Sequence, residues 1–147
     1  MSLRGSCQCK NFEITWQTRD YSLVPRACQC DYCRTRGAAW VSKSGTAVQV
    51  RVRNPRLHRV ARHGSGNARF HECANCGDAV VVTARIDGEE YGVLNASCIS
   101  NPMGFADSVK TDFDGQSAEE KRERWRQNWC CPVSIPAPAE ADPPAEA

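Results

Sequence analysis

The stretch CANCG (73–77) decides the fold. A C-x-x-C pair followed by glycine is a metal knuckle: its two thiols reach one ion from one turn, and Gly77 permits the tight backbone that follows. A structural tetrahedral zinc takes four protein ligands, so this knuckle needs a second pair. Working outward, CQC (7–9) offers two thiols and CQCDYC (28–33) offers three. Ligand counting then divides the set. Cys7, Cys9, Cys73 and Cys76 make a closed Cys₄ site, and Cys28, Cys30 and Cys33 are left as a three-ligand group. Three protein ligands with an open fourth position is the pattern of catalytic zinc. The expected cofactor is zinc, two per chain, one structural and one catalytic.

Other readings of the cysteines are weaker. An iron–sulfur cluster could use four of these thiols, but C-x-C-x-x-C lacks the ferredoxin spacing. Ten cysteines could form a disulfide framework. That framework belongs to secreted chains, and MSLRGSCQCK (1–10) has no hydrophobic signal-peptide core. A second structural site, with the triplet closed by His71, Cys98 or His63, stays open. The H-x-E and P-C-x-x-C signature of zinc deaminases is absent. Zinc held by three thiolates carries net negative charge. It is a poor Lewis acid for making hydroxide and is suited to holding an incoming thiol as thiolate. His58, His63 and His71 otherwise read as ordinary strand or loop residues. Cys98 reads as a small buried apolar residue, and Cys130 and Cys131 as exposed thiols or as occasional metal or oxidation sites.

The bulk properties narrow the class. The net charge of +2 and pI near 8.1 over 147 residues are too mild to argue for nucleic acid. No apolar run approaches the ~18 residues of a membrane helix, so the expectation is a soluble, cytoplasmic protein. The hydrophobic fraction of 41% counts all ten cysteines. Without them the apolar share falls to about a third, a thin core that needs a staple. Alternating apolar residues predict strands at 11–16, 39–42, 46–52, 56–62, 68–72, 79–86 and 91–97, with Leu57 out of phase. HGSGNA (63–68) reads as a loop. One helix is predicted, 117–129, with Ser117 as N-cap, Glu120 completing a capping box, and Trp125 and Trp129 at i,i+4. Its basic cluster (Lys121, Arg122, Arg124, Arg126) reads as a solvated face. The Pro/Ala/Glu-rich segment 132–147 reads as a disordered tail, leaving a zinc-binding domain over 1–131. The fold class expected is mainly β, a small antiparallel domain with a short C-terminal helix.

GSCQCKNFEITW, CQCDYCRTRGAAWVS and RFHECANCGDAV together resemble the glutathione-dependent formaldehyde-activating enzymes, a family that also includes relatives of centromere protein V. The resemblance covers roughly residues 4 to 84, with Arg34 after the triplet, Gly37, and Phe70 before the knuckle as further matches. It implies an Mss4-like zinc-bound β-tent. It also implies a structural zinc at Cys7, Cys9, Cys73 and Cys76, and a catalytic zinc at Cys28, Cys30 and Cys33. The activity implied is addition of glutathione to formaldehyde to give S-(hydroxymethyl)glutathione, a carbon–sulfur lyase reaction in reverse. Two positions depart from the family pattern: Lys10 replaces the usual glycine and Gln29 the usual histidine. Neither removes a ligand. The resemblance fades after residue 84.

The functional expectation is therefore a zinc-dependent enzyme that joins a small thiol to an aldehyde, or runs the reverse cleavage, with Cys28, Cys30 and Cys33 at the catalytic centre. Arg34 and Arg36 are candidates to meet a substrate carboxylate. The alternative is a non-catalytic zinc-stapled β domain that binds a protein or nucleic acid, using the KRERWR run (121–126) and an exposed Trp125.

Overall fold

The computed structural model describes residues 2–62, 68–101, 104–111 and 115–138. In chain order the elements are β1 (Leu3–Ser6), β2 (Phe12–Trp16), β3 (Arg26–Cys28), α1 (Asp31–Arg36), β4 (Trp40–Val41), β5 (Val48–Val52) and β6 (His58–Ala61). There follow β7 (Arg69–Cys73), β8 (Ala79–Ile86), β9 (Glu89–Asn95), β10 (Ile99–Ser100), β11 (Val109–Thr111), α2 (Ala118–Asn128) and β12 (Val133–Ser134). Short 3₁₀ turns lie at Pro55–Leu57 and Ala96–Cys98. Leu57 breaks the alternation of its neighbours because it belongs to the first of these turns, and β6 starts only at His58.

The strands form two sheets. The first runs β10-β1-β2-β5-β12 and the second β11-β3-β4-β9-β8-β7-β6. The protein is mainly β, as the alternation predicted. Most pairs are antiparallel, but β11 runs parallel to β3 and β12 parallel to β5. Both parallel partners come from the C-terminal third of the chain and add to strands laid down earlier.

The period-two pattern explains the shared core. In β2, Phe12, Ile14 and Trp16 are buried while Glu13 and Thr15 are partly exposed, and Ile14 faces Val50 across the ladder. These residues pack with Val80, Val81 and Leu94 of the second sheet. Each large apolar side chain so buried contributes about 1.5–3 kcal/mol. β8 reads AVVVTARI and is buried except at Arg85, because both its faces are covered. Its second face (Val82, Ala84, Ile86) packs with Trp40, Cys33, Trp125 of α2 and Trp129 at the end of that helix.

α2 begins where the capping box predicted. Ser117 Oγ accepts from the Glu120 amide at 3.1 Å, and Glu120 Oε1 accepts from the Ser117 amide at 2.8 Å. Trp125 and Trp129 stack with ring centroids 4.6 Å apart and are buried, so Trp125 is not the exposed platform the binding-module reading needed. The C-terminal readings also change. Cys130 is fully buried, not exposed, with its backbone paired to Gly92, and Cys131 is half-buried. Val133 is buried within β12, so order continues past the expected boundary at 131; residues 139–147 of the expected tail lie outside the described residues. Apart from Ala68, the expected loop at 63–68, with His63, also lies outside them.

Candidate metal centres

Two tight turns assemble the first cysteine cluster. Cys7 and Cys9 sit in the turn between β1 and β2, closed by the Lys10 amide on the Cys7 carbonyl at 3.0 Å. Cys73 ends β7 and Cys76 follows in a turn closed by the Gly77 amide on the Cys73 carbonyl at 2.8 Å, with Gly77 at φ +81°. Asp78 clamps the turns together by accepting from the Gln8 amide at 2.9 Å and the Gln8 side chain at 3.2 Å. The four sulfurs all lie within 4.8 Å of one another, with Cys9–Cys73 at 3.5 Å and Cys7–Cys9 at 3.7 Å. Ideal tetrahedral zinc with ~2.3 Å Zn–S bonds places its sulfurs about 3.8 Å apart. The donors thus fit zinc in number, type and spacing.

The charge balance agrees. Burial pushes the Cys7 thiol up to about 12 and raises Cys73, whereas hydrogen bonding from Asn75 brings exposed Cys9 down to about 6. Four thiolates this close repel one another, and a divalent cation among them removes the conflict.

The second cluster is built by a strand–helix corner. Cys28 ends β3, Cys30 is the N-cap of α1, and Cys33 lies in its first turn, where it is buried. The three sulfurs lie within 4.8 Å of one another. Two N–H groups support them: the Cys33 amide donates to Cys30 Sγ at 3.4 Å, and the Trp40 indole donates to Cys33 Sγ at 3.3 Å. Neighbouring Cys28, and then burial, push the Cys33 thiol far above its ordinary value; burial raises Cys30. These donors also fit a thiophilic cation, with three ligands rather than four.

The residues weighed as a fourth ligand are placed elsewhere. His71 spends both ring nitrogens, Nδ1 on His58 Nε2 and Nε2 on Thr83 Oγ1, each at 2.8 Å. Cys98 packs in the core shared with Cys7 and Cys73, whereas Cys33 belongs to the other core. Among the described residues, no further His, Cys, Asp or Glu joins the triplet.

A family model described as glutathione-dependent formaldehyde-activating enzyme matches residues 2–114. The chain belongs to that family. The match extends past residue 84, where the resemblance in the sequence fades, and stops before α2. A crystal structure of a Rhodobacter sphaeroides protein shares the fold, with a TM-score of 0.55 and 22% identity, covering 72% of this chain and 99% of that one. No curated protein matches the chain significantly.

Within this formaldehyde-activating fold, the arginines beside the triplet have structural work. Arg34 pairs with Asp31 at 2.6 Å on the surface. Arg36 lies 3.8 Å over the Tyr32 ring and 3.6 Å from Glu72. Glu72, with a side chain only 4% exposed, also accepts from Arg59 Nε at 2.9 Å and from the Tyr32 hydroxyl. Burial, and then Glu72, push the Tyr32 phenol well above its ordinary range. On α2, Arg126 pairs with Asp87 and Glu123, and Arg124 Nε donates to Gln116 at 3.1 Å. Two of the four residues of the basic cluster are thus engaged locally.

A cleft of about 380 Å³ is lined among others by Leu23, Val24, Arg26, Trp40, Ser42 and Asn128, and the triplet cysteines are not part of its lining. Trp40 joins the two, since it both lines the cleft and donates to Cys33. Sequence reasoning overlooked Arg26 and Trp40. Arg26 stands two residues before Cys28, so the i,i+2 spacing was a usable signal once β3 was known. Nothing in the sequence ties Trp40 to Cys33 before α1 and β4 are formed.

Proposed function

We propose that this protein catalyses addition of a small thiol to an aldehyde, and the reverse cleavage, as a carbon–sulfur lyase with two zinc sites. The family's described activity, glutathione-dependent formaldehyde activation, supplies the substrate class: glutathione or a similar thiol, and formaldehyde or a similar aldehyde. The observation that carries the reading is the Cys28–Cys30–Cys33 cluster, three sulfurs gathered at one point without a fourth described ligand.

In the reaction the thiol sulfur forms a bond to the aldehyde carbon while the carbonyl π bond breaks, and the S–H proton ends on the former carbonyl oxygen. No electrons are gained or lost overall. Zinc bound at the triplet would supply the positive charge that favours the thiolate of the incoming thiol. The chain holds two of the three donors, Cys30 and Cys33, through the N–H groups of Cys33 and Trp40. Cys7, Cys9, Cys73 and Cys76 would hold the structural zinc. A reducing, cytoplasmic setting suits a chain whose cysteines are all free thiols.

The test is zinc content per chain with zinc X-ray absorption before and after adding glutathione. Near two zincs, with average sulfur coordination rising on addition, supports the reading. Two zincs with no response to glutathione or any other small thiol refutes it.

A further inference from the structure

The cleft, joined to the triplet through Trp40, has its own order. Val109 of β11, Arg26 of β3 and Trp40 of β4 are direct cross-strand neighbours, and all three line it. The row therefore runs from an exposed apolar residue at the mouth, through a guanidinium, to an indole in contact with Cys33. Arg26 and Cys28 project from the same face of β3. The far wall comes from the end of α2: Asn128 lines the cleft, and its carbonyl accepts from Ser42 Oγ at 2.9 Å. α2 lies outside the residues 2–114 that the family model matches.

The lining carries one sign of charge. Arg26 and Lys43 line the cleft and no carboxylate does. Lys43 is already paired with Asp20 at 2.8 Å. Arg26 has no carboxylate partner among the described residues. Arg124 adds to the positive character nearby, since burial and then the Arg26 charge lower it from its ordinary value. A guanidinium fork with no acid opposite it suits a planar anion such as a carboxylate. The volume falls within the roughly 300–1,000 Å³ of small-molecule sites.

The geometry points to this cleft as the subsite for the body of a carboxylate-bearing thiol, with Arg26 taking the carboxylate, Trp40 forming the floor that leads to Cys33, and α2 setting the size of ligand admitted. The inference rests on the thiol-addition reading and assigns specificity to Arg26 and α2 rather than to Arg34 and Arg36, which are held by Asp31, Tyr32 and Glu72.

The test separates the subsite from the reaction. S-methylglutathione keeps the carboxylates but has no free thiol. Calorimetry on the metal-loaded full chain should show it binding, and Arg26→Gln should weaken it about tenfold or more. Val24→Glu, which places a carboxylate at the exposed mouth, should weaken it as well. With cobalt in the metal sites, the preference for glutathione over uncharged 2-mercaptoethanol should fall by a similar factor in Arg26→Gln. Binding of S-methylglutathione that is absent, or indifferent to both substitutions, overturns the subsite even if the cobalt spectrum responds to thiols. A cobalt spectrum indifferent to every thiol, with Arg26-dependent S-methylglutathione binding intact, refutes the reaction and supports the subsite.

Discussion

Replacing Lys10 with glycine should stabilise the protein. Lys10 follows the first C-x-C pair and adopts φ +65°, in the left-handed region. For a residue with a Cβ that region costs about 1–2 kcal/mol. Glycine avoids the penalty but loses more freedom on folding, about 0.5–1 kcal/mol. The exposed lysine side chain carries no compensating ion pair among the described residues. The turn-closing bond from its amide to the Cys7 carbonyl is made by backbone and survives the change. The net expectation is a gain of about 0.5–1 kcal/mol, a rise in Tm of a few degrees for a domain of this size. Urea denaturation at fixed excess zinc measures it, since free metal shifts apparent stability by mass action. Lys10→Ala is the control: it removes charge and stem while keeping the Cβ, so it should bring no gain. A Lys10→Gly variant no more stable than the parent, or an alanine variant equally stabilised, refutes the strain argument.

Trp40→Phe keeps an aromatic ring of smaller size but deletes the donor to Cys33 Sγ, and should lower metal affinity at the triplet about 10–100-fold while the Cys₄ site keeps its own, as read by chelator competition. Gly5→Ala would place its Cβ 2.3 Å from the Cys98 carbonyl oxygen, so β1 and the Ala96–Cys98 turn must part, at a cost of about 1–3 kcal/mol in denaturant unfolding. Burial, followed by the Asp78 charge, pushes Cys98 up from 9.0 to about 12. The native thiol stays neutral where the unfolded one ionises, so its contribution to stability is complete below pH 9 and lost as pH rises from 9 towards 12. At pH 8 iodoacetamide should alkylate native Cys98 about a thousandfold more slowly than an ordinary thiol, because the thiolate is the nucleophile. Stripping all metal should abolish the near-UV dichroism, since structural zinc contributes roughly 10–16 kcal/mol in small zinc domains.

The cysteine partition and the long alternating strands were legible because each rests on a strong local signal. C-x-C and C-x-x-C fix ligand geometry within a turn, and FEITW and AVVVTARI declare their buried faces outright. What stayed hidden depends on partners distant in sequence. β3 is only RAC, with no alternation to read, and becomes a strand because β11 and β4 flank it. α1 is six residues long, too short to carry a periodic stripe; its N-cap is a thiol, outside the usual Ser, Thr, Asp and Asn. Without those two elements the row Val109–Arg26–Trp40 has no existence in the sequence, and the arginines nearest the cysteines drew attention instead. Cys130 misled for a similar reason: it borders a polar helix and a proline-rich tail, yet its backbone pairs with Gly92 inside the fold.

The two centres are not independent. Along β7, strict alternation would point Glu72 away from its neighbours His71 and Cys73. The ladder instead shifts register between His71 and Glu72, and all three side chains are buried. Such irregularities re-aim side chains. Here Glu72 reaches α1, where it receives the Tyr32 hydroxyl and faces Arg36, while Arg59 meets its other oxygen. Taking a carboxylate out of water is costly, and these donors offset that cost only while Glu72 stays where β7 places it. Its position is set one residue before Cys73, a member of the Cys₄ cluster. Tyr32, which Glu72 holds, stands between Cys30 and Cys33. The chain of constraint therefore runs from the Cys₄ turns through Glu72 to the helix that carries two of the three triplet sulfurs. The first cysteine cluster thus helps to place the second, whereas Cys7, Cys9 and Cys76 are held by their own turns and by Asp78.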